Sequence, residues 1–183
     1  MKKPKQSISN IKKKARNIKL LIMDVDGVLT PAYIIIDGLG REIKVFNVQD
    51  GFGIMLWRRA GLKTAIITAG KSPAIRKRAS MLKIDALYEK AFNKREAYGE
   101  LKKRFKVSDN EVSFIGDDLI DLPILKKVGL ACSVPNCNDE IRDHVDYISK
   151  RMGGKGAVRE IIDILLKSKG LWKDVTKDFF ENC

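Results

Sequence analysis

Six short apolar runs alternate with helix-like segments along this chain, and that alternation constrains the fold more than any other feature. The runs cover 19–24, 62–68, 86–88, 112–116, 130–134 and 146–148, and helical patterns lie between and beyond them at 51–60, 72–82, 94–105, 119–127, 138–143 and 156–168. Strand, helix, strand in succession closes into a parallel pair by a right-handed crossover. The expected class is therefore α/β: a doubly wound, Rossmann-like parallel sheet with helices on both faces. Open sheets of this kind bind ligands in the crevice beyond the carboxyl ends of their strands. Several of those ends carry polar residues here: Asp24 and Asp26, Thr68, and Asp117 with Asp118. They point to one active site at one edge of one sheet.

The stretch Asp24-Val25-Asp26-Gly27-Val28-Leu29-Thr30 closes the first run. Two carboxylates two residues apart on a strand share one side. One can take a phosphoryl group as a nucleophile, and the other can protonate the leaving oxygen and then deprotonate the attacking water. Asp24, first and at the strand end, suits the nucleophile; Asp26 suits the acid/base. Two acids this close repel, and Mg²⁺ relieves the repulsion by taking carboxylate, water and phosphate oxygens. Gly116-Asp117-Asp118-Leu119-Ile120-Asp121 offers Asp117, Asp118 and Asp121 to the same ion. A single Asp at a strand end is ordinarily a helix cap; the two acidic motifs together argue for metal-assisted phosphoryl chemistry. Thr68 adds a hydroxyl for a phosphate oxygen, although a Thr before Ala69-Gly70 also suits a cap. Lys94 adds a point positive charge for the transition state, although a lysine at a helix start is ordinarily solvated.

One segment breaks the alternation. Tyr33-Ile34-Ile35-Ile36, a turn at Asp37-Gly38-Leu39-Gly40, and Arg41 to Phe46 read as a β-hairpin. It follows the aspartate pair directly, so a flap over the site is expected at about 32–47, and no insertion is long enough for a separate cap domain. Gly153-Gly154-Lys155-Gly156 reads as a flexible turn. The net charge of +13 invites a nucleic-acid reading, but eight lysines and arginines fall within residues 1–19 with no acid among them. Without them the balance is 28 basic to 23 acidic residues. The expected organisation is a basic leader over 1–17, solvated and partly helical, a domain over 18–170, and an apolar tail over 171–183. No run reaches the roughly 18 apolar residues of a membrane span, and three cysteines without a CxxC pair fit a reduced, cytoplasmic setting. Cys132 and Cys137 read as free thiols. His144 is the sole histidine, which argues against a histidine-based triad or metal site. Met55, Leu56 and Trp57 read as core.

In that order, Asp24 and Asp26, Thr68, Lys94, and Asp117 with Asp118 resemble the four motifs of the haloacid dehalogenase superfamily. The resemblance implies Asp24 as nucleophile, Asp26 as acid/base with its backbone oxygen on Mg²⁺, and Asp117 as a further Mg²⁺ ligand, with Asp118 and Asp121 behind it. The capless length, the hairpin, Phe46-Asn47-Val48-Gln49-Asp50-Gly51-Phe52-Gly53 and Gly153 to Glu160 narrow the likeness to 3-deoxy-D-manno-octulosonate 8-phosphate (Kdo 8-phosphate) phosphatases, from about Ile18 to Phe180. That family implies a role in lipopolysaccharide synthesis and a homotetramer in which the flap and tail of one subunit help close a neighbour's site. It also implies substrate contacts at Asn47, Asp50, Gly51, Lys71, Arg78 and Lys94. The chain departs from the family at Gln49, usually Arg, and at Ala69-Gly70, usually Gly-Arg. Relatives acting on nine-carbon, sialic-type sugar 9-phosphates carry Glu at the Gly70 position and Lys near Met81, and neither is present. Arg78 matches a family arginine, and a cation suits the carboxylate of the eight-carbon acid sugar. A sialic-type 9-phosphate and a non-catalytic regulatory subunit remain the alternatives; a small sugar phosphate is the expected partner rather than a membrane or nucleic acid.

Overall fold

The computed structural model describes residues 8–181. The expectations placed on residues 1–7 and on Cys183 lie outside them. Six strands form one fully parallel sheet in the order β5-β4-β1-β6-β7-β8: β1 (Leu20–Met23), β4 (Lys63–Ile67), β5 (Ala86–Tyr88), β6 (Val112–Ile115), β7 (Leu130–Ser133) and β8 (Tyr147–Ile148). All four residues of β1 are buried, as a strand covered on both faces requires. Its side chains alternate. Leu21 and Met23 enter a core formed with α1 (Ile8–Asn17), α2 (Val48–Arg59), α3 (Pro73–Met81), α7 (Ala157–Ser168) and α8 (Trp172–Glu181). Leu20 and Ile22 enter a second core under α4 (Lys94–Phe105), α5 (Leu122–Leu125) and α6 (Asp139–Arg142). The doubly wound sheet expected from the alternation is present, strand for strand.

The hairpin is present and short, with β2 (Ile35–Ile36) antiparallel to β3 (Glu42–Ile43) around a turn stabilised by the Asp37 carboxylate. Its outer surface is apolar and open: Tyr33, Ile34, Ile36 and Leu39 are all exposed.

Both ends of the described chain pack on the domain. Residues 8–17 are helical, as expected of part of the leader, but one face of the helix is not solvated. They fold into α1, whose Ile11 and Ala15 are buried against the core and whose Lys14 reaches the fully buried carboxylate of Asp146 at 2.8 Å. A lysine-rich sequence hides this role because only two side chains of the helix face inward. The tail over 171–181 packs on its own subunit: Val175 is buried, Phe179 meets Phe52 edge to face at 5.3 Å, and Arg59 pairs with Asp178. Helix α2 begins at Val48, three residues before the expected start, because Asn47 caps it by accepting from the amides of Gln49 and Asp50. Leu56 and Trp57 are core, but Met55 is 40% exposed. Cys132 and Cys137 are buried thiols outside any disulfide, and His144 is half-buried at the turn before β8.

Candidate active site

Neighbouring strands end in register, and this gathers the chemistry. Met23 pairs with Ile66 on one side and Ile115 on the other, so Asp24, Thr68 and Asp117 emerge at one level of the sheet edge. Asp24 follows β1 directly, and its amide donates to the Ile115 carbonyl at 2.9 Å. Asp26 is not on the strand. The chain turns over Val25–Thr30, with the Thr30 and Leu29 amides both donating to the Val25 carbonyl. Alternation along β1 therefore does not explain why the two aspartates share a site; the turn does. Gly27 stands at φ +92°, and a Cβ there would lie 1.9 Å from Asp117 Oδ2. Only glycine permits the turn to pass so close to the second acidic motif.

Asp24, Asp117 and Asp121 place carboxylate oxygens within 4.8 Å of one another. Lys94 offsets part of that charge. Its ammonium sits 2.7 Å from Asp24 Oδ1 and 2.6 Å from Asp121 Oδ1, with its side chain 1% exposed. A cation at the first residue of a helix opposes the helix dipole; here the two carboxylates outweigh it, and they hold the Lys94 pKa above its ordinary value although burial acts the other way. Asp121 is a buried hub as well, accepting from the Asp117 amide at 2.9 Å and the Asp118 amide at 3.3 Å through Oδ2. Burial raises the Asp24 pKa, and the Lys94 ammonium pulls against that rise. Asp117 is pushed up to about 8, by burial first and then by the charges of Asp24 and Asp121. Its Oδ1 is buried and has no hydrogen-bond partner. Three acids against one lysine, with one buried oxygen unsatisfied and only hard oxygen donors present, form a donor set that suits a small divalent cation.

A cleft of about 360 Å³ opens over this cluster. Asp24, Asp26, Thr68, Gly70, Lys94 and Asp117 line its floor, and Tyr33, Ile34, Glu42 and Lys44 of the flap form its wall. The buried Thr68 hydroxyl accepts from the Gly70 amide at 3.1 Å. Asp118 is exposed and caps the turn over Leu119–Asp121.

Of the residues expected to touch substrate, Lys94 lines the cleft and the others sit elsewhere in a single subunit. Asn47 is the cap of α2; Asp50 is buried, accepting from the Arg159 and Gly156 amides and so tying α2 to the start of α7. Arg78 packs against Gly51, donates to the Asn47 carbonyl at 3.0 Å and lies over the Phe46 ring. Lys71 is exposed before α3. None of the four, nor Gly51, lines the cleft. Two supporting residues escaped the sequence reading. Lys44 bonds Asp26 at 2.6 Å; a lysine just past a flap strand carries no signal of this. Asn136 bridges the Gly27 carbonyl and the Gly153 amide, at 3.0 and 2.8 Å. The Gly153 turn is thus not a free hinge but a wall pressed on the active-site turn, where a Cβ would strike the Gly27 carbonyl.

Comparison with known proteins agrees with this geometry. Residues 69–162 match the haloacid dehalogenase-like hydrolase family. The chain is 40% identical over 162 residues to the 3-deoxy-D-manno-octulosonate 8-phosphate phosphatase of Escherichia coli (strain B / BL21-DE3), covering 88% of this chain and 86% of that one. The chain belongs to the haloacid dehalogenase-like hydrolases. Within that family, it superposes on the Moraxella catarrhalis Kdo 8-phosphate phosphatase, solved with magnesium, phosphate and Kdo, at a TM-score of 0.92 with 36% identity over 94% of this chain and 99% of that one. The Yersinia pestis phosphatase gives 0.87 with 37% identity over 88% of each chain. The haloacid dehalogenase fold read from the motifs is the fold present.

Proposed function

We propose that this chain is a Mg²⁺-dependent phosphatase that hydrolyses Kdo 8-phosphate to Kdo and phosphate in the supply of lipopolysaccharide precursors. The observation that carries the reading is the buried Asp24 carboxylate, paired with Lys94 and set beside the unpartnered Asp117 oxygen at the floor of an open cleft. The identity of about 40% to Kdo 8-phosphate phosphatases across both chains selects the substrate.

Asp24 attacks phosphorus, and the bond from phosphorus to the sugar oxygen breaks, leaving an aspartyl-phosphate. Asp26 gives the departing sugar oxygen its proton. The same carboxylate then takes a proton from water, which attacks the aspartyl-phosphate and releases phosphate. Lys94 holds Asp24 in one orientation and balances charge at its oxygen; Thr68 bonds a phosphate oxygen. Asp24, the Asp26 backbone oxygen and Asp117 would hold Mg²⁺, with Asp118 and Asp121 behind them. When bound, the ion neutralises the phosphate and the carboxylates facing it.

The exposed apolar residues of the flap support assembly as a homotetramer. In such an assembly Asn47, Lys71 and Arg78, which lie off their own subunit's cleft, would serve a site completed by a neighbour, with Asp50 and Gly51 buried behind them. Among the described residues no helix is long and apolar enough to cross a membrane; a cytoplasmic enzyme fits that and the undisulfided thiols of Cys132 and Cys137. The test is phosphate release with Mg²⁺ from Kdo 8-phosphate, sialic-type 9-phosphates, hexose phosphates and a 5′-phosphorylated oligonucleotide. A large preference for Kdo 8-phosphate is expected; preference for a nine-carbon acid, or no turnover of any ester, would overturn the reading.

A further inference from the structure

Lys44 is an anomaly of the flap. Its neighbours on the hairpin face solvent, yet its own side chain is only 4% exposed. It crosses the cleft mouth from the end of β3 and places its ammonium 2.6 Å from Asp26 Oδ1 and 2.8 Å from Glu42 Oε1. Asp26 otherwise has little to hold it: its side chain is 43% exposed, and the Thr30 hydroxyl stands at the edge of hydrogen-bond range from Oδ1, 3.5 Å away. Both of these contacts fall on Oδ1. The other oxygen faces the reaction side. A Cβ built on Gly70 would sit 3.3 Å from Asp26 Oδ2 and 3.4 Å from the Thr68 hydroxyl, so Oδ2 and Thr68 flank one empty space over which Gly70 contributes no side chain.

We propose that Lys44 is the positioning residue for the acid/base of this site: from the flap it fixes Asp26 Oδ1 and so aims Oδ2 at the leaving oxygen beside Thr68. An acid delivers its proton efficiently only when it is held within hydrogen-bond reach of the acceptor. A half-exposed aspartate on a turn, free about its own torsions, does not meet that condition, and one charge-assisted bond from a buried ammonium does. Glu42 holds the ammonium from its other side, so the hairpin carries a prepaired cation into place. The arrangement makes flap position and acid position one variable. With the flap away, Asp26 loses its orienting partner and the proton transfer becomes inefficient. The inference rests on the phosphatase reading above, since it needs Asp26 to protonate a leaving group.

The leaving group supplies the test. A phosphate ester of an acidic phenol departs without a proton; one of a basic phenol needs it. We would measure kcat/KM, which reports the steps up to loss of the alcohol, for a series from p-nitrophenyl phosphate to phenyl phosphate, in wild type, Lys44→Met and Lys44→Arg. None of these esters carries the sugar, so binding of the sugar cannot contribute. The Lys44→Met loss should grow along the series, from a few-fold on p-nitrophenyl phosphate to roughly 100-fold on phenyl phosphate, the lower range for general acid catalysis. Lys44→Arg should recover part of the loss on phenyl phosphate. A loss equal for all esters would overturn the proposal, because a misplaced flap or weakened phosphate binding ignores leaving-group acidity. A wild type inactive on every ester, Kdo 8-phosphate included, would overturn the phosphatase reading itself and this role with it.

Discussion

Asp117→Asn should make the metal-free protein more stable while removing its response to Mg²⁺. Asp117 has a folded pKa of about 8 against 3.8 as a model group. Between those values the native state holds more protons than the unfolded one, so stability falls as pH rises through that window. At pH 7 the displacement of about three units sets a ceiling of about 4 kcal/mol on the cost of keeping this acid in the site, at 1.36 kcal/mol per unit. Asparagine removes that cost without changing size. It also leaves an amide where Oδ1 now lacks a partner, which costs about 1–3 kcal/mol in its own right. The net gain at pH 7 should be about 2 kcal/mol, a rise in Tm of about 4–8 °C for a chain of this length. The assay is thermal unfolding in EDTA and in Mg²⁺, from pH 5 to pH 8.5. In EDTA the gain should grow with pH and vanish or reverse near pH 5, only about one unit above the unfolded value, where the remaining cost of about 1.6 kcal/mol no longer exceeds that of the unpartnered amide. In Mg²⁺ the wild type should be stabilised and the variant should not. A variant no more stable than wild type at pH 8 in EDTA, a gain independent of pH, or equal stabilisation of both proteins by Mg²⁺ would refute the reasoning.

Three further predictions concern the same architecture. Asp24→Asn should abolish turnover, by at least 1,000-fold on the order expected for loss of a covalent nucleophile, with an unchanged circular dichroism spectrum; wild-type-like rates would remove Asp24 from that role. Gly27→Ala should cost more than about 2 kcal/mol of stability in a denaturant titration, since it combines a left-handed backbone with a Cβ 1.9 Å from Asp117 Oδ2; a neutral substitution would mean that the turn can be rebuilt. Deleting residues 1–17 removes the buried Ile11 and the Lys14 partner of the fully buried Asp146. It should lower stability by about 2–4 kcal/mol with kcat/KM on Kdo 8-phosphate kept within a few-fold, and an unchanged unfolding midpoint would show that α1 contributes nothing to the core.

The strands were legible because a doubly wound sheet buries both faces and leaves continuous apolar runs, such as Leu20–Met23, that few other environments tolerate. The polar residue at the end of each run was legible for the same reason: Asp24, Thr68 and Asp117 are where burial stops, and the parallel register then sets them side by side. Lys94 was found by its order among these motifs; nothing in its neighbourhood on the chain separates it from Lys90. Tertiary structure decided what depends on contacts distant in sequence. It seated α1 by two inward side chains and one ion pair across 132 residues, turned the tail back onto Phe52, and brought Lys44 to Asp26 across the flap. It also showed that Asp26 reaches the site through a turn rather than along the strand, which alternation by itself could not reveal. Periodicity records which side chains are buried, and the ends of buried strands locate the chemistry. Which partner each charge meets is set by loops whose path leaves no period in the sequence.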